Sequence, residues 1–215
     1  MGRGLTSPPP EAPLSAEFYA RPVLTVAREL LGATVRHGPV GIRITEVEAY
    51  GGQDDAASHS FRGPTPRAVV MFGPPGRAYV YFVYGMHWCL NFVCEPAGTP
   101  GAVLVRAGEV TDGLELARAR GPKLAQRDLA RGPGRLGRVL GADGGLTGSS
   151  VTGAGPLTVF APAPPAGPGR GWPGPGAAVG VGPRVGVRGA QDRPWRFWLA
   201  GDPTVSAGPR GAGGG

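Results

Sequence analysis

Two glutamates, Glu46 and Glu48, lie on a stretch whose pattern predicts a β-strand. Across Val40–Tyr50, apolar residues such as Ile42 and Ile44 alternate with polar or small ones, the period of two that strands require. If the strand is regular, the face that buries the isoleucines also carries both carboxylates. Burying a carboxylate costs on the order of several kcal/mol unless the group is paired or used.

Two explanations of these glutamates stay open. A β-bulge, or a strand that leaves the core before Glu46, removes the conflict without implying any function. Alternatively, the strand ends in a cleft, where a carboxylate near apolar and aromatic groups acts as a general base.

An aromatic hairpin is the second feature that could do chemistry. Ala78–Val83 and Met86–Val93 are apolar runs joined at Tyr84-Gly85, which predicts a hairpin tip. An aromatic side chain at such a tip can enter a stack of DNA bases, and nearby tyrosine faces can hold an extruded base. The alternative is that these aromatic residues fill a core, which suits Tyr79 better than Tyr84.

The cysteines and one histidine raise the question of a metal site. His87, Cys89 and Cys94 are close in sequence, but a structural zinc site normally has four ligands and the chain has no further cysteine. We therefore expect no metal and no cofactor. Two cysteines are also too few for a disulfide scaffold, which indicates a reducing cytosol.

The charge of the chain indicates a polyanionic partner. Its 215 residues include 22 Lys or Arg and 15 Asp or Glu, with a net charge of +7 and a pI near 10.2, which favours nucleic acid before membrane. No segment approaches the roughly 18 apolar residues of a membrane span, and no signal pattern opens the chain, so we expect a soluble, cytoplasmic protein. Residues 118–138 carry seven basic residues and one acid, either as a solvated helix face or along phosphates.

A chain of 215 residues has the length of a single domain. Residues 1–14 are expected to be a disordered lead-in, 15–206 the folded domain and 207–215 a disordered Gly-rich tail. Between residues 141 and 180, 19 of 40 residues are Gly or Pro, which predicts an irregular region around one strand. The predicted elements are helices at Arg21–Leu31, Thr111–Arg120 and within Pro122–Leu140, the strand and hairpin above, and strands at Ala102–Ala107, Leu157–Phe160, Val179–Arg188 and Arg196–Ala200.

Five short motifs resemble those of one known family. They are Thr45-Glu-Val-Glu-Ala-Tyr50, Ser58-His-Ser60, Met71-Phe72, Tyr79-Val-Tyr81 with Tyr84-Gly-Met86, and Arg184-Val-Gly-Val187. Their order and spacing are similar to those of the alkyladenine (3-methyladenine) DNA glycosylases. The resemblance implies an α+β fold, a single mixed domain with a curved, mostly antiparallel β-sheet, a protruding β-hairpin and surrounding short helices.

The resemblance also implies the activity. Such an enzyme flips a damaged purine out of duplex DNA and hydrolyses its N-glycosidic bond, leaving an abasic site for base excision repair. Glu48 resembles the general base that activates the attacking water. Arg106 resembles the arginine that helps to hold this water, and the main-chain carbonyl of Val185 resembles its third partner.

The same resemblance implies how the base is held. Tyr50, His59 and Tyr81 resemble the walls of the base pocket, and Asn91 resembles the residue that crowds the exocyclic amino group of guanine. For the DNA contact, the equivalent of the intercalating wedge is Tyr84, with Met86 beside it.

The expected partner is double-stranded DNA containing damaged purines, and the expected state is a monomer. A glycosylase that also cuts the backbone needs an amine nucleophile, and Lys123 is the only lysine, so we expect a monofunctional hydrolase. Two rivals remain: a non-catalytic nucleic-acid binder that uses the aromatic hairpin as a stacking platform, and an RNA-processing hydrolase.

Overall fold

The computed structural model describes residues 12–121, 123–162 and 178–208. Within them, one eight-stranded sheet is surrounded by four short α-helices and three short 3-10 helices. The strands are β1 (Thr34–His37), β2 (Val40–Tyr50), β3 (Ala78–Val83), β4 (His87–Cys94), β5 (Gly101–Asp112), β6 (Leu157–Phe160), β7 (Val179–Gly182) and β8 (Arg196–Leu199). The α-helices are α1 (Ala16–Tyr19), α2 (Val23–Glu29), α3 (Leu114–Arg120) and α4 (Pro133–Leu140), and the 3-10 helices are Val69–Phe72, Gln126–Asp128 and Gly144–Leu146.

The sheet is organised around β2. One edge of β2 pairs with β5 over most of its length, and the other edge pairs first with β1 and then, from Glu46 to Glu48, with β8. From β5 the sheet continues through β4 to β3, and from β1 to β6. The described strand pairs are all antiparallel, and the prediction of one α+β domain with a curled antiparallel sheet is confirmed.

The main hydrophobic core lies on one face of the sheet, against α2 and α4. In the hairpin, Ala78 and Val80 of β3 and Leu90 and Phe92 of β4 face this core. Their neighbours along each strand face the other side, because side chains alternate. There a smaller cluster packs around Met71.

Two bulges explain the buried glutamates. Thr45 on β2 and Arg106 on β5 each lack an opposite residue in the pairing of these strands, which defines a bulge. One extra residue moves the side chains after it to the other face. Ile44 before the bulge and Val47 after it both face the main core, so both glutamates point away from it. A regular strand is therefore excluded. The bulge is present, but it turns both glutamates to the opposite face of the sheet, where they remain buried.

The predicted elements are present, several with different bounds. The strand predicted at Ala102–Ala107 is longer and runs from Gly101 to Asp112, so the helix predicted from Thr111 begins only at Leu114. The helix expected at 21–31 is α2, and the region 122–140 holds only α4 and one 3-10 helix among its described residues. The strand expected at Val179–Arg188 ends at Gly182, because the next residue is Pro183, which has no N–H for the ladder. The following residues form a loop that carries part of the site.

The predicted lead-in is structured at its end. Pro13 bridges to Phe160, and the Leu14 amide donates to the Val159 carbonyl at 2.8 Å, so the ordered chain begins before residue 15. Residues 1–11, 163–177 and 209–215 lie outside the described residues. The other domain boundaries stay predictions.

Candidate active site

The strand register places four positions in one row across the sheet. Glu48 on β2 lies opposite Leu104 on β5, Leu104 opposite Asn91 on β4, and Asn91 opposite Tyr79 on β3. All four face away from the main core, so residues from four strands meet on one surface.

A cleft of about 1100 Å³ opens on this surface. Ligand sites typically measure roughly 300–1,000 Å³, so the cleft is large enough for a nucleotide. Its lining includes all but one of the side chains and backbone groups predicted for the site: Glu48, Tyr50, His59, Tyr81, Tyr84, Asn91, Arg106 and Val185. Met86 lines a separate hollow of about 390 Å³ instead.

Glu48 is buried at the floor of the cleft with both carboxylate oxygens engaged. Its Oε1 accepts from the backbone N–H of Val185 at 2.7 Å and lies 3.2 Å from Nη1 of Arg106. Its Oε2 accepts from the Tyr50 hydroxyl at 2.7 Å. Burial, and then the charge of Glu48, raise the pKa of Tyr50 well above its ordinary value, so this hydroxyl stays a donor. These contacts hold the carboxylate in one orientation. Val185 reaches Glu48 through its amide, and the expected role of its carbonyl stays a prediction.

Arg106 lies buried between the two glutamates of β2. Its Nε donates to Oε1 of Glu46 at 2.8 Å, while Nη1 faces Glu48. Burial alone would lower the pKa of Arg106, but Glu48 and then Glu46 raise it above its ordinary value. Arg106 shares this face with Leu104, two residues earlier on β5, because side chains alternate along a strand.

One wall of the cleft is formed by the aromatic rings of His59, Tyr79 and Tyr81. The His59 ring meets the Tyr81 ring edge to face at 4.6 Å, and its Nδ1 is 2.7 Å from the Tyr79 hydroxyl. Burial and then the charge of Arg67 lower the pKa of His59 to about 4, so the imidazole is neutral at pH 7. Burial also raises the pKa of Tyr81 well above its ordinary value. The Asn91 amide is fixed by donating to the Tyr79 carbonyl at 2.9 Å.

The hairpin tip presents Tyr84 to solvent in an unusual conformation. Tyr84 has φ 54 and Gly85 φ 66, the pattern of a type I′ turn, which prefers Asn-Gly. A bulky residue in this left-handed region stores roughly 1–3 kcal/mol of strain. Since Tyr84 is also 80% exposed, neither burial nor backbone preference explains a tyrosine here, which supports a functional role. Beside Tyr84, the apolar residues Met86 and Phe82 are also exposed, by 67% and 45%.

An ion pair that the sequence did not predict joins two loops of the site. Asp55 and Arg184 have fully buried side chains and form two hydrogen bonds of 2.6 and 2.7 Å. Arg184 also donates to the carbonyl of Ala49 at 3.0 Å, and its Cζ lies 4.7 Å from the Tyr50 ring centroid. In the sequence, Arg184 stands out only as part of a motif, and no local signal marks Asp55.

Two absences hold for the part of the chain that the structure describes. No group of three or more His, Cys, Asp or Glu side chains is arranged to hold a metal ion there. His87 and Cys89 line the cleft, whereas Cys94 faces the main core. In the same ranges, no helix is long and apolar enough to cross a membrane.

The protein is basic, and its aromatic cleft has a buried carboxylate at the floor. This arrangement fits a nucleic-acid hydrolase better than a non-catalytic binder that stacks bases on its aromatic residues, because stacking gains nothing from a buried anion. Residues 17–203 match the methylpurine-DNA glycosylase family, and the chain belongs to that family. Membership confirms the resemblance and the prediction of a DNA glycosylase of base excision repair. Nothing favours the non-catalytic alternative.

Relatives in several bacteria agree with this assignment. A Frankia casuarinae protein is 62% identical over 203 residues, which cover 93% of this chain and 94% of the relative. A Streptomyces avermitilis protein is 49% identical, covering 92% of each chain. A Cutibacterium acnes protein is 51% identical, covering 88% of this chain and 96% of its own. All three are named "Putative 3-methyladenine DNA glycosylase".

Proposed function

We propose that this protein acts as a monomer that flips alkylated or otherwise damaged purines out of duplex DNA and hydrolyses the N-glycosidic bond. The observation that carries the proposal is Glu48, held by three donors at the floor of an aromatic cleft whose rim bears the exposed Tyr84.

Glu48 is the general base of this proposal. A buried carboxylate with fixed orientation can take the proton of a water that attacks the sugar C1′. Arg106 and the carbonyl of Val185 would hold the same water, and both residues already contact the Glu48 carboxylate. The damaged base leaves with the bonding electrons, and the water oxygen bonds to C1′.

The aromatic walls select the base. Tyr50 and Tyr81 favour a cationic alkylpurine by about 0.5–2 kcal/mol, and such a base already leaves readily. Neutral lesions need hydrogen bonding, which His59 can offer through Nε2, since Nδ1 is engaged by Tyr79. Asn91, fixed at the floor, would exclude guanine by crowding its amino group.

The hairpin opens the duplex. Tyr84, 80% exposed at the hairpin tip, would take the place of the extruded nucleotide in the base stack. Unstacking one base step costs about a few kcal/mol, which the additional contacts with bent DNA offset. Met86, on the same tip, would contact the neighbouring base pair.

The experiment that tests the function is release of free base. Duplexes with one 3-methyladenine, 7-methylguanine, hypoxanthine or 1,N6-ethenoadenine are incubated with excess protein, beside an undamaged duplex. We expect release from at least one damaged duplex and none from the undamaged one. No release from any of the four would contradict the proposal, and release from duplex RNA of the same sequence would favour the RNA-processing alternative.

The same reactions test whether the enzyme is monofunctional. Lys123, the only lysine, is not among the residues that line the cleft, so we expect intact abasic strands that break only after alkali. Strand cleavage by the protein alone, trapped by borohydride as a covalent adduct, would show an amine nucleophile instead.

Three arginines at the cleft are expected to bind DNA phosphates. Arg67, Arg135 and Arg188 are exposed, line the cleft from three separate segments, and make no ion pair with any described acid. Each change to Ala should weaken binding to damaged and undamaged duplex alike. The slope of log affinity against log salt should fall by about 1 for each phosphate that the variant no longer neutralises.

A matched control comes from the same basic region. Arg118 is exposed but does not line the cleft, so Arg118→Ala should leave the slope unchanged. Arg120, in the same basic region, is not a suitable control, because its side chain donates hydrogen bonds to the carbonyls at the end of α4. An unchanged slope in all three rim variants would place the DNA backbone elsewhere.

A further inference from the structure

Glu46 is a buried acid to which the proposed reaction assigns no role. Its carboxylate accepts from Nε of Arg106 at 2.8 Å and Nε of Arg196 at 2.7 Å. It also accepts from the amide and hydroxyl of Ser206 at 2.6 and 2.9 Å. Glu46 is absent from the residues that line the cleft, so any effect on the reaction passes through a neighbour.

Arg106 is that neighbour. In its guanidinium, Nε donates to Glu46, Nη1 lies 3.2 Å from Glu48, and Nη2 lies 3.5 Å from the Ser206 hydroxyl. These contacts fix its position. Without Glu46, Arg106 keeps a single carboxylate partner and can rotate. Arg196 supplies the second positive charge, so two buried acids are balanced by two buried arginines.

The C-terminal segment 202–207 is tied to the same cluster. Asp202 pairs with Arg43 at 2.7 Å, and the hydroxyls of Thr204 and Thr45 are 2.8 Å apart. Ser206 then reaches Glu46, so the segment follows β2 along its bulge.

The segment also reaches the cleft itself. Arg131 donates to the Val205 carbonyl at 2.7 Å, and Ala207 lines the cleft. Ala207 therefore belongs to the site, although the sequence predicted that a disordered tail begins there.

We propose that Glu46 and Ser206 are positioning residues through which the C-terminal segment holds the Arg106 guanidinium against Glu48. The proposal rests on the proposed function, because it takes Arg106 and Glu48 as the pair that handles the water. A merely structural ion cluster is the alternative.

The test uses single-turnover base release and equilibrium binding on the damaged duplex that the wild type processes fastest. Glu46→Gln should slow release by about 10²-fold, the effect of a misplaced group near the chemistry, with unchanged affinity. Ser206→Ala should slow release by about tenfold, the lower end of the effect of removing one hydrogen bond to a charged group. Glu29→Gln, which breaks an ion pair with Arg21 outside this cluster, is the control and should keep the wild-type rate.

A double mutant separates positioning from structure. If Glu46 acts through Arg106, then adding Glu46→Gln to Arg106→Ala should change the rate little, because the residues act as a unit. The proposal is overturned if the rate losses of Glu46→Gln and Arg106→Ala multiply in the double mutant. It is also overturned if Glu46→Gln loses rate and affinity equally, or if it keeps the wild-type rate. If Glu46→Gln does not fold, an unchanged rate in Ser206→Ala overturns it. Absence of base release by the wild type would instead refute the proposed function itself.

Discussion

Replacing Glu48 with glutamine is expected to slow base release by about 10²–10⁴-fold, the usual contribution of a general base. Glutamine keeps the size of the side chain but cannot take a proton from water at neutral pH. Affinity for the damaged duplex should stay unchanged, because Glu48 is at the floor of the cleft and not on the surface that meets DNA. Single-turnover release and fluorescence anisotropy with a labelled duplex measure the two quantities.

Two comparisons sharpen the Glu48 experiment. Glu109→Gln removes an ion-paired acid from the neighbouring strand β5 and should leave release intact. Tyr50→Phe removes one of the donors to Glu48 and should cause a smaller loss than Glu48→Gln. If Glu48→Gln retains the wild-type rate, the carboxylate is not the base. If it loses binding and release together, its role is to maintain the fold.

The second large effect concerns the stability of the fold. Asp55→Ala should lower the free energy of unfolding by about 3–5 kcal/mol, the range for removing one partner of a buried ion pair. The change leaves the Arg184 guanidinium buried without its carboxylate, between the rings of Tyr50 and Trp195. Urea unfolding followed by tryptophan fluorescence measures the loss.

A double mutant and an exposed pair provide the controls. Asp55→Ala with Arg184→Met should be less destabilised than the sum of the single changes, because no charge is left unpaired. Glu29→Ala breaks the exposed pair of Arg21 and Glu29 and should cost about 0–1 kcal/mol. A similar small loss for Asp55→Ala would contradict the buried-pair argument.

The same pair gives stability a pH dependence. Burial alone would raise the pKa of Asp55, but the hydrogen bonds and charge of Arg184 lower it below its ordinary value. A lowered carboxyl pKa means that the stabilisation is complete above the unfolded value, about pH 3.9. It is lost as the pH falls through the lower, folded value. Asp55→Ala should therefore weaken the dependence of unfolding on pH in this acidic range.

Local sequence patterns were sufficient to predict the elements that depend on interactions between neighbouring residues. The alternation of Val40–Tyr50 and the apolar runs on either side of Tyr84-Gly85 predicted β2 and the hairpin, because side-chain period and turn chemistry depend on adjacent residues. The residues that face the cleft were predicted by the family resemblance of the motifs around Glu48 and Tyr81, not by local pattern. Glu46 was visible on the same strand, but its partners Arg196 and Ser206 are 150 and 160 positions away.

The sequence by itself determined every described strand except β1, the exposed aromatic tip, the basic character and the family of this protein. Only the tertiary structure decided which face of β2 the glutamates occupy, because a bulge depends on the pairing with β5 and not on β2 alone. It also decided that Asp55 meets Arg184 and that the C-terminal segment reaches Arg106. Such contacts form between distant parts of the chain once the sheet has closed around them, and no local pattern records them.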